Sequence, residues 1–330
     1  MSGAVANLAL APVLVPLTGA VGCVLLGTDG ERLSEGFHRG PGTPHAEQAA
    51  LAAAAAAGVD VRGATAVVSP EPCAHHGRTP PCADALIDAG IARVLFAQSD
   101  PNPVAAGGAE RLRAAGLAVI GGVLADRAAD VNRTWSTAVQ LGRPVVTWKV
   151  AASLDGRIAA ADGSSRWITS PAAREQVHEL RGSVDAVLTG TGTALADRPQ
   201  LTARVPGGGL ATRQPLRAVM GLSELSAEHP LAAAGVLRLR TRDPQAALGL
   251  LFAAEARHVM LECGPRLARA FLAADVVDRI VWFAAPILLG SSGLAVVEGG
   301  PATLADAARW RVTATQLCGP DVRIDLLKER

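Results

Sequence analysis

The sequence predicts a two-domain chain of the α/β class, with helices layered on sheets. Three observations predict it. Strand-like and helix-like segments alternate along most of the chain. The length of 330 residues suits two domains of ordinary size. Gly142-Arg143-Pro144 breaks the pattern near its middle, which places a boundary between residues 1–142 and 143–330. Hydrophobic residues make up 49% and charged residues 18%, enough apolar side chains to fill a core in each half.

Residues 1 to 28 carry no charged side chain. A signal peptide wants a positive start, which this stretch lacks. Pro12, Pro16, Gly19 and Gly22 interrupt any spanning helix, so the stretch reads as a loose start before a buried strand. That strand covers 20–26, with 32–37 as its hairpin partner across Thr28-Asp29-Gly30. The alanine-rich run 45–57 predicts a helix stopped by Gly58. Residues 65–69 form a β-branched strand, and 80–89 a helix opened by Pro80-Pro81 and closed by Gly90. A strand at 92–97, a short helix at 109–115, a strand at 117–124 and a helical connector at 126–141 complete the first half. In the second, strands are expected at 145–152, 185–189, 216–220, 258–262 and 279–284, and helices at 171–180, 244–256 and 266–273. Ser170 is a plausible cap for the first of these helices. A hairpin at 310–327 turns around Cys318-Gly319-Pro320-Asp321.

The most informative local pattern is His45-Ala46-Glu47, followed by Pro72-Cys73 and Cys82. It offers one imidazole and two thiolates to one metal, with a carboxylate two residues from the imidazole. Zinc held by three such ligands keeps a fourth position for water and lowers that water's pKa towards neutrality. Glu47 is then placed to carry protons. H-x-E with P-C-x-x-C marks zinc deaminases, although here the cysteines stand further apart, with Ala74 to Pro81 between them. Both segments fall at helix starts, where free backbone N–H groups favour thiolate over thiol. A closed structural zinc site would want a fourth protein ligand, and His75 and His76 are the local candidates.

Composition narrows the rest. A net charge of +1 and no long basic run argue against a general nucleic-acid binder. Aromatics at 3%, with no tyrosine, leave little for a base-stacking platform. Five irregularly spaced cysteines fit a cytoplasmic enzyme with metal thiolates better than a disulfide framework. No G-x-G-x-x-G opens a strand–helix unit, so a Rossmann cofactor site is not expected.

Several longer motifs carry a resemblance. Glu71-Pro72-Cys73-Ala74-His75-His76-Gly77-Arg78-Thr79-Pro80-Pro81-Cys82 resembles the zinc motif of the bifunctional riboflavin-biosynthesis deaminase–reductases. Asp100-Pro101-Asn102-Pro103-Val104-Ala105, Lys149 through Arg157, Ser165 through Thr169 and Gly192 through Asp197 are similar to the same family. The resemblance implies an N-terminal cytidine-deaminase-like three-layer α/β/α domain and a C-terminal dihydrofolate-reductase-like α/β domain. It implies Zn2+ on His45, Cys73 and Cys82, with Glu47 as the catalytic acid–base and His38, His76, Arg78 and Asn102 lining the pocket. For the second domain it implies NADPH held by Ala152, Trp167, Thr193, Asp197 and Gly264-Pro265-Arg266-Leu267. Ser165, Arg181, Leu201, Arg204 and Glu262 would contact substrate, a phosphorylated pyrimidine. Lys149, one of two lysines, matches the family as well. A homo-oligomer in the cytoplasm, with no nucleic-acid or membrane partner, is the accompanying expectation.

The chain departs from the family in places. Leu17-Thr18-Gly19-Ala20 stands where the family has Pro-Asn-Pro, Arg198 follows Asp197 in place of a second aspartate, and Gly221-Leu222 replaces Asp-Ser. Two alternatives therefore stay open: a reductase with a degenerate or retuned deaminase domain, and a zinc-stabilised nucleotide-binding scaffold.

Overall fold

The computed structural model describes residues 21–38, 43–75, 80–99 and 107–329. They fall into two compact units, Met1–Gly142 and Arg143–Arg330. No described helix is long and apolar enough to cross a membrane.

In the first unit β1 (Gly22–Leu26) and β2 (Arg32–Phe37) form an antiparallel hairpin. Gly30 takes φ 87° in its turn, a conformation that costs glycine little. Then follow α1 (Ala46–Ala56), β3 (Thr65–Pro70), α2 (Cys82–Asp88), β4 (Arg93–Gln98), α3 (Gly108–Ala114), β5 (Ala118–Ile120) and α4 (Ala125–Leu141). The sheet order is β2-β1-β3-β4-β5, with β3, β4 and β5 parallel. Alternate residues define its two faces. Cys23, Leu25, Ala66, Val68 and Val94 pack with Ala50 of α1, Leu86 of α2 and Leu112 of α3. Val24, Val67 and Leu95 face the other way and meet Val123, just ahead of α4. β5 is shorter than the expected 117–124, because Gly121 lies against the Phe96 ring and Gly122 turns the chain at φ 82°.

The first helix lies unusually low on its sheet. Its buried residues Ala46, Ala50 and Ala54 are spaced by four, so one face carries only methyl groups. Gly36 on β2 faces that helix, and a Cβ there would stand 2.3 Å from Ala50 N and 2.4 Å from Ala46 O. Small residues on both partners allow the close contact.

The second unit contains β6 (Val145–Ser153), β7 (Arg157–Ala159), α5 (Pro171–Ser183), β8 (Ala186–Gly190), α6 (Thr191–Asp197), β9 (Leu216–Met220) and β10 (Val236–Leu239). It continues with α7 (Pro244–Ala253), β11 (His258–Leu261), α8 (Pro265–Ala273), β12 (Arg279–Ala285), β13 (Leu294–Ala295), β14 (Trp310–Cys318) and β15 (Asp321–Lys328). The main sheet runs β10-β9-β8-β11-β6-β12-β15-β14, antiparallel only at the β15–β14 end. Trp148, Val150 and Leu188 pack against Leu248 and Leu251 of α7 and Phe271 of α8. Val187, Val219 and Phe283 pack against Ala173 and Val177 of α5 on the opposite face. α5 starts where its cap predicts, with Ser170 accepting from Ala173 N. Because β6, β8, β9 and β11 are parallel, their carboxyl ends open along one edge of the sheet, where ligands bind open α/β sheets.

Candidate metal centre and cofactor cleft

In the first unit His45, Cys73 and Cys82 come together. Their ligand atoms all lie within 4.8 Å of one another, the one such group among the described residues. His45 is the residue before α1, and Cys82 is the first residue of α2. Cys73 follows β3 on a loop held by Glu71, whose buried carboxylate accepts from Ala109 N at the start of α3 (2.8 Å). His45 Nδ1 stands 3.2 Å from Cys82 Sγ and 3.6 Å from Cys73 Sγ. Zinc bonds of about 2.3 Å to sulfur and about 2.0 Å to nitrogen, at the tetrahedral angle, place S and N about 3.6 Å apart. The donor set and its spacing therefore fit zinc. Cys82 N, a free donor at a helix start, points at Cys73 Sγ (3.4 Å). That bond and the Cys82 thiol hold Cys73 down to about 4, the thiol contributing most, while Cys82 is raised.

Glu47 lies in the first turn of α1 and is buried beside these ligands. Its Oε2 has no hydrogen-bond partner. Burial raises its pKa to about 7, with the Cys73 charge adding and His45 opposing. His38, also buried, meets His45 edge-on at 5.3 Å between ring centroids. Its Nδ1 lies 3.0 Å from Pro44 O, and burial lowers its pKa, so the neutral ring donates from Nδ1. His76, Arg78, Asn102 and the Leu17-Thr18-Gly19-Ala20 run lie outside the described residues. His75 Nδ1 is buried without a partner and is not in the ligand group.

In the second unit the strand ends line a cleft of about 1860 Å³. A single small ligand occupies about 300–1,000 Å³, so there is room for two. Trp167, Thr193, Asp197 and Gly264 through Leu267 line it, as do Ser165, Arg181, Leu201, Arg204 and Glu262. Ala152 does not: its side chain is fully buried in the core cluster that also holds Trp148 and Val150. Thr193 Oγ1 accepts from Gly264 N (3.0 Å), joining the starts of α6 and α8. The N-terminus of α8 has no side-chain cap, so the N–H groups of Arg266 and Leu267 are open to a phosphate. The cleft thus fits a dinucleotide.

Charge concentrates at the end of β11. Arg181 donates to both oxygens of Glu262 (2.6 and 3.0 Å) and to Thr202 O (3.1 Å), so much of its guanidinium is engaged within the protein. Lys149 Nζ lies 3.7 Å from Glu262. Burial opposes the Glu262 charge, but Arg181 and then Lys149 outweigh it and take the carboxyl down to about 2. Burial lowers Lys149, with Glu262 opposing. Arg174 stacks over Trp167 at 4.4 Å, and His178, which sequence context leaves as an ordinary residue, sits on the cleft wall with Nδ1 3.1 Å from Thr202 O. His178 could have been found by its spacing, since Arg174, His178 and Arg181 share one face of α5. His229 and His258, also left as ordinary, bond to Ala194 O and Thr147 within the fold.

A deaminase-like unit followed by a reductase-like unit is the class that this architecture defines. Residues 15–98 match the cytidine and deoxycytidylate deaminase zinc-binding region, and residues 144–324 match the RibD C-terminal domain. The riboflavin biosynthesis protein RibD of Mycobacterium tuberculosis is 45% identical over 310 residues, covering 93% of this chain and 90% of that protein. The protein of the same name from Escherichia coli is 39% identical, covering 93% and 92%. The structure of Acinetobacter baumannii RibD in form 1 superposes with a TM-score of 0.85 at 35% identity, covering 98% of this chain and 96% of that one. A Thermotoga maritima structure, titled a diaminohydroxyphosphoribosylaminopyrimidine deaminase/5-amino-6-(5-phosphoribosylamino)uracil reductase, gives 0.78 at 33% identity, covering 93% and 91%. The chain belongs to the RibD family of bifunctional riboflavin-biosynthesis deaminase–reductases.

Proposed function

We propose that this chain deaminates 2,5-diamino-6-ribosylamino-4(3H)-pyrimidinone 5′-phosphate in residues 1–142 and reduces the ribosyl group of the product to ribityl in residues 143–330. The observation that carries the reading is the buried, unpartnered Glu47 Oε2 beside His45, Cys73 and Cys82. A structural zinc site has no use for a buried carboxylate with an unpartnered oxygen, which is costly to bury. The same observation weighs against a degenerate domain or a scaffold.

His45, Cys73 and Cys82 would hold zinc, which when bound supplies the Lewis acidity that makes water a nucleophile at neutral pH. Glu47 takes one proton of the attacking water to the ring nitrogen, and then carries the water's second proton to the departing ammonia. A dication beside it would favour its charged form, against the burial that raises it. Neutral His38 orients the pyrimidine as a hydrogen-bond partner, together with His76, Arg78 and Asn102.

In the second unit the turn Gly264-Pro265-Arg266-Leu267, with Thr193 and Asp197, would hold NADPH, which supplies the hydride. Trp167 covers the reacting end of the cleft, and Ala152 supports it from the core. Lys149, held by Glu262, gives the proton that the reduced sugar oxygen requires. Arg181 fixes Glu262, while Arg204, Ser165 and Leu201 hold the sugar phosphate. The described cysteines are all free, which suits a cytoplasmic enzyme, and we place it there as a homo-oligomer.

Incubating the purified chain with the diaminopyrimidine phosphate tests the reading. Ammonia should appear with or without NADPH, and nicotinamide absorbance should fall only after deamination. Ammonia release without zinc, or NADPH oxidation with no pyrimidine, would count against it.

A further inference from the structure

Two of the metal ligands are set by helices: His45 precedes α1 and Cys82 opens α2. Cys73 has no such support. It lies beyond the end of β3, on the run Pro70-Glu71-Pro72-Cys73. Proline has no backbone N–H, so Glu71 carries the single main-chain donor of residues 70–72. That N–H donates to Gln98 O (2.8 Å) and prolongs the β3–β4 pairing past Pro70. A metal tolerates little spread in its ligand positions, so a thiolate on such a loop needs further anchors.

Those anchors come from α3 and α2. The Glu71 side chain is buried, and its Oε1 accepts from Ala109 N of α3 (2.8 Å). One residue earlier Gly108 lies against the next peptide, so closely that a Cβ there would stand 1.6 Å from Pro72 O. The following carbonyl, Cys73 O, accepts from Ala83 N of α2 (3.2 Å), and Cys73 Sγ accepts from Cys82 N (3.4 Å). The peptide on each side of Cys73 is thus fixed, one by contact with α3 and the other by a hydrogen bond from α2. An ion pair between Arg111 and Asp84 ties α3 to α2. Glu71 itself is outside the ligand group, so this clamp can be loosened without touching a ligand.

We infer that Glu71 is a positioning residue of the metal centre: through Ala109 N it locks the Cys73 loop against α3, and so sets the ligand geometry on which deamination depends. This rests on the deaminase reading above. The working property is reach. The side chain is long enough to bring an acceptor oxygen to α3, and its charge is secondary.

The test loads the full chain with Zn2+ or Co2+ and compares Glu71→Gln, Glu71→Asp and Glu71→Ala. Glu71→Gln keeps the reach and an acceptor oxygen; Glu71→Asp keeps the charge and loses a methylene of reach. Zinc held in competition with a chromophoric chelator should weaken about ten- to a hundredfold in Glu71→Asp and Glu71→Ala, and stay close to wild type in Glu71→Gln. The thiolate-to-cobalt absorption bands should shift in the same two variants. Their turnover at full zinc loading should fall, with KM for the diaminopyrimidine phosphate unchanged. A lower melting temperature with zinc affinity, cobalt spectrum and turnover all unmoved overturns the inference and leaves the deaminase reading standing. So does an impaired Glu71→Gln beside an unimpaired Glu71→Asp, which would make charge the working property. Should Glu71→Ala fail to fold, the Gln and Asp variants still decide. If the wild-type chain holds no zinc, the deaminase reading fails and takes this inference with it.

Discussion

The two units concentrate their chemistry in opposite ways. The metal centre needs three ligand atoms within 4.8 Å and one carboxylate beside them. The cleft draws on residues from Trp148 to Gly299, many of which offer backbone, shape or a single charge. Coordination dictates residue type and tolerates little spread. Cofactor binding dictates a surface, which many sequences can build. One site should therefore fail all at once and the other by degrees.

The sharpest way to break that contrast is Cys82→Ser. It should strip the metal, abolish ammonia release and lower the melting of the first unit, while the second goes on oxidising NADPH with deaminated substrate. Metal analysis and calorimetry check it, and retained zinc would blur the distinction. Glu47→Gln should keep the metal and slow deamination by about 10²–10⁴-fold, seen in ammonia release at full zinc content. Within the cleft the largest expected effect is Glu262→Gln, which leaves the charges of Lys149 and Arg181 without their counter-ion. Breaking a buried pair costs about 3–5 kcal/mol, so unfolding of the second unit should shift down and NADPH oxidation should slow.

A smaller effect comes from pH. Burial, with Arg279 adding, pushes His258 down to about 3. Between that value and the ordinary one of about 6.5, the unfolded chain binds a proton that the folded one refuses. Stability of the second unit should be flat above about pH 6.5 on this account and fall as pH drops towards 3. Denaturant titrations across that range should show His258→Gln with a shallower fall.

The same contrast governs what could be read from the sequence. His45, Glu47, Cys73 and Cys82 were legible because metal chemistry fixes both their types and their place at helix starts. Most helices and strands were legible from periodicity and punctuation, as with Ser170 ahead of α5. α6 and β10 were not anticipated. Thr191–Asp197 is seven residues with a glycine inside, too short to show a helical period, and Val236–Leu239 is four residues interrupted by an arginine. Both are held by neighbours: β10 pairs with β9, and α6 packs Ala194 into the core. Ala152 belongs to the cofactor set by resemblance, and its full burial depends on packing across the sheet, which a motif does not carry. The engagement of Arg181 with Glu262 depends on a contact across 81 residues, beyond the reach of local pattern.

Gly36 is not one of the metal-ligating residues, yet α1 rests on it directly, with Ala50 N and Ala46 O closer than a methyl group could allow. That helix carries His45 at its threshold and Glu47 in its first turn. A single added carbon on the edge strand would act as a wedge beneath a beam, tilting ligand and proton carrier together. The tolerances of the reacting atoms are thus written partly into a position whose only qualification is having no side chain.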